Sequence, residues 1–340
     1  MPLGRHTALS DTGRKRRRNE DAYVVRPPLF AVADGMGGAQ AGEVASRLAV
    51  EALAHGGADV GGEERVTALI QEANRRIYRH AGEDAATSGM GTTMTVALVE
   101  DGGVVIGHVG DSRAYLVRDG ELRQLTDDHS LVGELIRSGK LTPDEAESHP
   151  QRSVITRALG SDPDVDVDTF TVEAQPGDVF LICSDGLTSM VGDEAILRAV
   201  KEHHDDLDAA ARELVRLANR GGGEDNITVV CFEIAEQGAT PDETAVLAAT
   251  EAPAADDDED TLDELDGVPA VAADGTGRPP AVDTMVVPVS EVEAAAEAEA
   301  PTPRRRRSRQ DETAKRVLAT VLVLVVLAAI VLLVVWGLLR

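Results

Sequence analysis

Short apolar runs with strand character recur through the first 235 residues of the chain. Each either alternates apolar and polar positions or is almost continuously apolar, which are the patterns of strands buried on one face or on both. The clearest runs are LFAVAD, TTMTVALVE, GVVIGHVGD, RAYLVRDG, ELRQLT, DVFLICSD and NITVVCFEI. Two of them are joined at Asp119-Gly120, a dipeptide that predicts a tight hairpin turn.

Helical periodicity, with apolar residues every three or four positions, marks four other segments. They are AGEVASRLAVEALAH, EERVTALIQEANRRIYRHA, SLVGELIRSG and LDAAARELVRLANRG. The last segment ends at Asn219 and the glycines 221–223, which is a helix-terminating signature. Because the strands cluster and seldom alternate with helices, the pattern favours an α+β fold of antiparallel sheets covered by helices over a doubly wound parallel sheet.

The end of the chain has a different pattern, since residues 317–339 form an uninterrupted apolar stretch without a charge. As a helix this stretch would measure about 34 Å, enough for a bilayer core of about 30 Å. Basic residues are concentrated before it, at 304–307, 309, 315 and 316, and only Arg340 follows. The positive-inside bias therefore predicts a single-pass protein of the cell membrane, with the preceding domain in the cytoplasm.

Residues 236–316 are rich in Ala, Glu, Asp and Pro and poor in aromatic residues. Such a segment buries too little apolar surface to offset its ordering entropy, so we expect an acidic disordered linker with a basic juxtamembrane end. The predicted organisation is a globular domain at 1–235, this linker at 236–316 and a transmembrane helix at 317–339.

Charge argues against a nucleic-acid partner, although the stretch GRKRRRNEDAY at residues 13–23 contains a strongly basic run. The formal net charge of the chain is −27, and residues 236–300 alone carry eighteen acidic residues against one Arg. Nucleic-acid binding depends on neutralising phosphates, which an acidic body and tail oppose. We therefore expect no nucleic-acid binding.

Carboxylates stand at the ends of several predicted strands, at Asp34, Asp111, Asp185 and Asp225, and Glu20-Asp21 follows the basic run. A single Asp-Gly is most often an ordinary turn. Several carboxylates gathered at strand ends, however, repel one another unless a cation lies between them. Oxygen ligands without a matching set of His or Cys favour magnesium or manganese over zinc.

The ordered motifs RRRNEDA, VADGMGG, GTTMTVA, GHVGDSRAYL, CSDGL and EDNITVV resemble those of the metal-dependent protein serine/threonine phosphatases of the 2C type. The resemblance covers about residues 5–235, and the predicted tail is similar to that of bacterial membrane-anchored members. It implies a central antiparallel β-sandwich flanked by helices, in four α/β/β/α layers. It also implies two Mn²⁺ or Mg²⁺ ions at one end of the sandwich, with a third, weaker site.

The resemblance assigns roles to individual positions of this sequence. Asp34 is expected to bridge both metals, Asp185 and Asp225 to hold one, and the Gly35 carbonyl and Glu20 to serve the other. Asp21 is expected to order a water molecule, and Asp111 to join Asp185 at the third metal.

Arg16 matches the position of the family's phosphate-binding Arg, and as a planar fork it suits phosphate recognition. Arg17 and Arg18 are read as solvated neighbours or as contacts for acidic phosphopeptides. Met36 occupies the place of a proton-donating His of animal members. Because a thioether supplies no proton, we expect packing there instead.

The implied reaction is hydrolysis of phosphoserine or phosphothreonine in proteins by a metal-activated water, opposing serine/threonine kinases. The expected partners are phosphorylated proteins, including such kinases. Alternatives are a catalytically weak phosphoprotein-binding scaffold, and a dedicated phosphatase of one regulator such as an anti-sigma antagonist. Residues 126–160 match the family's flap beside the active site, although ordinary surface helices explain the same pattern.

Overall fold

The computed structural model describes residues 1–37, 41–55, 61–83, 87–142, 145–146, 149–235 and 285–286. The predicted linker, apart from Met285–Val286, and the predicted span 317–339 lie outside these residues. Within the part of the chain that is described, no helix is both long and apolar enough to cross a bilayer.

Strands and helices follow one another in an order that alternates runs of strands with one to three helices. The strands are β1 (Leu3–Asp11), β2 (Asp21–Arg26), β3 (Leu29–Met36), β4 (Gly91–Thr92), β5 (Met94–Glu100), β6 (Gly103–Val109), β7 (Arg113–Arg118), β8 (Glu121–Gln124), β9 (Val154–Ile155), β10 (Asp168–Val172), β11 (Val179–Cys183), β12 (Ile227–Ile234) and β13 (Met285–Val286). The helices are α1 (Ala41–His55), α2 (Gly62–Glu83), α3 (Leu131–Arg137), α4 (Asp185–Thr188), α5 (Asp193–Glu202) and α6 (Leu207–Gly221).

Two antiparallel sheets form the centre of the fold. The first has the strand order β1-β12-β11-β7-β8, and the second has the order β10-β6-β5-β3-β2 with β4 beside β3. The short strands β13 and β9 pair in parallel, separately from both sheets. The predicted α+β class and antiparallel pairing are confirmed.

Aromatic rings join the two sheets at the centre of the molecule. Phe232 of the first sheet stacks on Phe30 of the second, with ring centroids 4.3 Å apart, and on Phe180 at 5.1 Å. All three rings are buried within the layer between the sheets. Stacked aromatic side chains combine a large buried area with defined geometry, so they fix the separation of the sheets.

Helices cover the outer face of each sheet, which gives the predicted four-layer arrangement. Small residues of α1, including Ala45 and Ala49, let that helix pack with α2 against the second sheet. On the other side, Leu187, Ile196 and Leu214 from α4, α5 and α6 pack on the first sheet. Each sheet is therefore buried on both faces, as its apolar runs indicate.

The hairpin and helix-end signals are confirmed in the backbone. Asp119 and Gly120 have φ angles of 52° and 79°, the left-handed pair of a two-residue turn, between the paired residues Arg118 and Glu121. At the end of α6 the Gly223 N–H donates to the Ala218 carbonyl at 3.1 Å, and Gly223 has φ 56°. This turn starts the segment that leads to Asp225.

Candidate metal centre and active site

The carboxylates predicted from the sequence meet at one end of the sandwich. Asp34, near the end of β3, lies opposite Asp21 at the start of β2. Burial raises the pKa of Asp34 well above its ordinary value, and the charges of four neighbouring carboxylates raise it further, namely Asp21, Asp185, Asp225 and Asp111. The structure therefore brings together five acids that belong to five separate motifs.

Two glycines let the backbone approach the acids closely. A Cβ on Gly35 would stand 2.2 Å from the Gly42 carbonyl oxygen and 2.5 Å from that of Glu20. At Gly42 a Cβ would stand 2.7 Å from Glu20 Oε2 and 2.9 Å from the Gly35 carbonyl oxygen. The Glu20 carboxylate and the Gly35 carbonyl therefore share one small space, as a joint role at a cation requires.

Two threonines of the GTTMTVA motif fix the backbone of Asp34. The Asp34 N–H donates to Thr93 Oγ1 at 3.0 Å, and the backbone N–H of Thr93 donates to the Asp34 carbonyl at 2.9 Å. Thr92 Oγ1 donates to the same carbonyl at 2.8 Å. The main chain is thus fully bonded while the carboxylate faces the other acids.

Asp21 is held by hydroxyl groups of the opposite sheet. Its Oδ2 accepts hydrogen bonds from Ser184 Oγ at 2.8 Å and Thr228 Oγ1 at 2.6 Å. Its Oδ1 is buried without a hydrogen-bond partner. Burial raises the pKa of Asp21 to about 6, although the two hydroxyl bonds oppose the shift. The unpartnered oxygen marks a place where a water or a cation would complete the bonding.

Asp111 and Asp185 form the other side of the cluster. Asp111 Oδ1 is also buried without a hydrogen-bond partner. Burial raises the pKa of Asp111 well above its ordinary value, and the charge of Asp185 adds to the effect. For Asp185 itself, burial and the charge of Asp225 raise the pKa to about 7. The protein itself places too little positive charge near these carboxylates to neutralise them.

The residues present fit hard divalent cations. Buried carboxylate oxygens without partners, together with a converging carbonyl, are oxygen donors of the kind that Mg²⁺ and Mn²⁺ take. No three His, Cys, Asp or Glu side chains among the described residues close around one point by themselves.

Arg16 contacts the acid cluster directly. Its Nη2 donates to Asp225 Oδ2 at 2.8 Å, while Asp225 Oδ1 accepts the N–H of Asn226 at 2.8 Å. Both oxygens of this predicted ligand are thus hydrogen bonded, and each keeps a second lone pair for a further partner. Arg16 is half-buried, whereas Arg17 and Arg18 are exposed.

Two buried histidines, His108 and His129, support the loop that carries Asp111. No sequence motif pairs them. The Gly110 N–H donates to the ring nitrogen Nδ1 of His129 at 3.0 Å, and the backbone N–H of His129 donates to the Gly110 carbonyl at 2.8 Å. His129 Nε2 contacts Asp168 Oδ2 at 3.1 Å. The His108 ring lies 4.7 Å from that of His129. The start of the segment 126–160 is therefore buried and hydrogen bonded to the loop that carries Asp111, unlike an ordinary surface helix.

Met36 is buried in a small apolar cluster with Ile155 and Ala158, so the predicted packing role is confirmed. A groove of about 840 Å³ extends from the acids toward α3 and the start of α5. Its lining includes Asp111 and Asp185 at the acid end, and Val132, Ile136, Arg152 and Met190 along its walls. A peptide chain on this groove would reach the carboxylates.

Comparisons with known proteins agree with this architecture. Residues 14–219 match the family model described as protein phosphatase 2C. The serine/threonine protein phosphatase PstP of Mycobacterium tuberculosis is 43% identical over 235 residues, which cover 68% of this chain and 45% of PstP. The serine/threonine phosphatase stp of Listeria innocua is 43% identical over 236 residues, covering 66% and 93% of the two chains.

A solved structure extends the likeness to the fold. The catalytic domain of PstP, in complex with two manganese ions, superposes with a TM-score of 0.62 at 40% identity, covering 69% of this chain and 99% of that one. The antiparallel sandwich, the converging acids and the sequence match all agree with the family predicted from the sequence. The chain belongs to the protein phosphatase 2C family. It spans about half the length of PstP.

Acidification is expected to weaken the fold through His108. Burial lowers its pKa to about 3, whereas an imidazole in an unfolded chain titrates near 6.5. Between these values the unfolded chain binds more protons, so the free energy of unfolding decreases as the pH is lowered, by about 1.4 kcal/mol per pH unit. We expect His108→Asn to remove this slope in urea unfolding of the metal-free protein between about pH 6 and about pH 5.

The carboxylates with raised pKa contribute a slope of opposite sign. They are common to both proteins, so their contribution cancels when the two slopes are subtracted. Equal slopes for the wild type and the His108→Asn variant would contradict the prediction.

Proposed function

We propose that the chain hydrolyses phosphoserine and phosphothreonine monoesters in proteins, in a metal-dependent reaction that opposes serine/threonine kinases. The observation that carries the proposal is the cluster of five converging carboxylates, all buried or half-buried, beside the half-buried Arg16. An acid cluster of this kind needs cations, and a phosphate monoester needs a cationic partner. The proposed substrates are phosphorylated proteins, including the kinases themselves.

The metals proposed are two Mn²⁺ or Mg²⁺ ions, with a third at a weaker site. Asp34 would serve both principal ions, Asp185 and Asp225 one of them, and the Gly35 carbonyl and Glu20 the other. Asp111 with Asp185 would hold the third. When bound, such ions neutralise charge on the phosphoryl oxygens and lower the pKa of a bound water.

The residues of the chain contribute binding, orientation and exclusion of water. Arg16 would exchange its contact with Asp225 for the oxygens of the phosphate, to which its planar fork is complementary. Asp21 Oδ1, which is buried without a hydrogen-bond partner, would accept a hydrogen bond from the attacking water and so orient it. Met36 packs against Ile155 and Ala158, and it supplies no proton to the leaving oxygen.

Removal of the central carboxylate tests the enzymatic proposal. We expect Asp34→Asn to lower manganese-dependent phosphate release from a phosphothreonine peptide by about 100-fold or more, because electrostatic stabilisation at the reacting group is lost. Asp164→Asn is the matched control, since Asp164 is exposed and away from the cluster. Release by the purified wild type that is absent, or unaffected by Asp34→Asn, would refute the proposal.

Comparison of neighbouring arginines tests the phosphate clamp. We expect Arg16→Ala to raise the KM for the phosphopeptide about 10- to 100-fold, the effect of losing a charged hydrogen-bond partner. Arg17→Ala and Arg18→Ala, at exposed positions, are expected to change KM about twofold or less. Similar effects at all three positions would show that Arg16 is not the clamp.

We also propose that residues 317–339 anchor the chain in the cell membrane with the catalytic domain in the cytoplasm. The uncharged apolar stretch and the basic residues before it support this orientation. We expect the intact chain in the membrane fraction, and a chain shortened to residues 1–316 in the soluble fraction. A protease added outside intact cells is expected to leave residues 1–235 uncut, and cleavage there would contradict the orientation.

A further inference from the structure

Asn226, the residue after Asp225, binds one loop through its amide oxygen and both of its amide hydrogens. Its Oδ1 accepts the Glu20 N–H at 2.8 Å. Its Nδ2 donates to the carbonyls of Thr12 at 3.0 Å and Arg18 at 2.9 Å. The side chain is buried, with the residue only 4% exposed, so these three bonds are made away from water.

The loop bound in this way, residues 12–20, carries both Arg16 and Glu20. Its first half is also fixed to the chain ahead of Asp225, since the N–H groups of Arg14 and Lys15 both donate to the Gly223 carbonyl, at 2.8 and 3.1 Å. A Cβ on Gly13 would stand 2.2 Å from the Asp225 carbonyl oxygen. The loop therefore lies in direct contact with the 223–226 segment along most of its length.

We propose that Asn226 is a positioning residue that sets the places of Arg16 and Glu20 relative to the acid cluster. Both residues lie on a loop that belongs to no helix or strand, so hydrogen bonds to its backbone decide where their side chains begin. Only an amide offers an acceptor and two donors at this point. The role in phosphate hydrolysis rests on the proposed function, whereas the hold on the loop does not.

Asn74 provides a matched control with the same chemistry elsewhere. It is 1% exposed, its Oδ1 accepts the Gly160 N–H at 2.8 Å, and its Nδ2 donates to the carbonyls of Asp162 at 3.0 Å and Pro163 at 3.2 Å. It contacts neither Arg16 nor Glu20. Loss of this amide therefore reports the general effect of removing a buried three-bond asparagine.

Hydrogen exchange of the metal-free protein tests the hold on the loop without reference to activity. We expect Asn226→Ala to accelerate exchange of the Glu20 amide about tenfold or more, and to leave the Gly160 amide unchanged. Asn74→Ala is expected to do the reverse. Unchanged protection at Glu20 in the Asn226 variant would overturn the proposal.

Titrations separate positioning from a general loss of stability. We expect Asn226→Ala to raise both the KM for a phosphothreonine peptide and the Mn²⁺ concentration for half-maximal binding in calorimetry about tenfold. Asn74→Ala is expected to change either value about twofold or less, even where both variants unfold at similarly lowered temperatures. Equal effects of the two variants would assign Asn226 a merely structural role.

Asn226→Asp covers the case in which the alanine variant fails to fold. This variant keeps the shape of the side chain and the oxygen that accepts the Glu20 N–H. It replaces the amide nitrogen by an oxygen that faces the carbonyls of Thr12 and Arg18, so KM is again expected to rise about tenfold. A wild type that releases no phosphate would refute the proposed function alone, because hydrogen exchange and Mn²⁺ binding would still decide the role of Asn226.

Discussion

Mutual repulsion among buried carboxylates is the constraint on which this structure depends. Asp34 lies in the interior with four other acids around it, and its raised pKa reflects first the loss of water and then their charges. A protein tolerates such an arrangement only where protons or cations neutralise part of the charge. The fold supplies the opposing rigidity, because each acid enters from a different loop or strand end that is bonded independently to the sandwich.

The supporting bonds come mostly from small polar side chains. Thr92 and Thr93 hold the backbone of Asp34, Ser184 and Thr228 hold the carboxylate of Asp21, and Asn226 holds the loop before Glu20. These groups satisfy backbone and carboxylate atoms without adding charge. The site thus keeps its negative potential for the ions while its geometry is fixed by neutral partners.

Sequence patterns predicted seven strands of the central sheets and four helices well, since strict alternation, Asp119-Gly120 and a glycine-rich helix end are local signals. They missed β1 and β10, whose residues are mostly half-buried or exposed, and α5, whose apolar face rests on only a few residues. The acids were found because their motifs are distinctive. The roles of His108 and Asn226 could not be predicted from the sequence, because both depend on hydrogen-bond partners that are remote along the chain.

The hydroxyl contacts of Asp21 have a mechanical consequence. Asp21 belongs to the second sheet, while Ser184 follows β11 and Thr228 lies within β12 of the first. Any change in how the two sheets pack at the stacked rings of Phe30 and Phe232 therefore alters the position of the carboxylate that we propose orients the reacting water. Substitutions in the apolar layer between the sheets can therefore change the reactivity of the site as well as the thermal stability of the fold, even when they lie far from the acids.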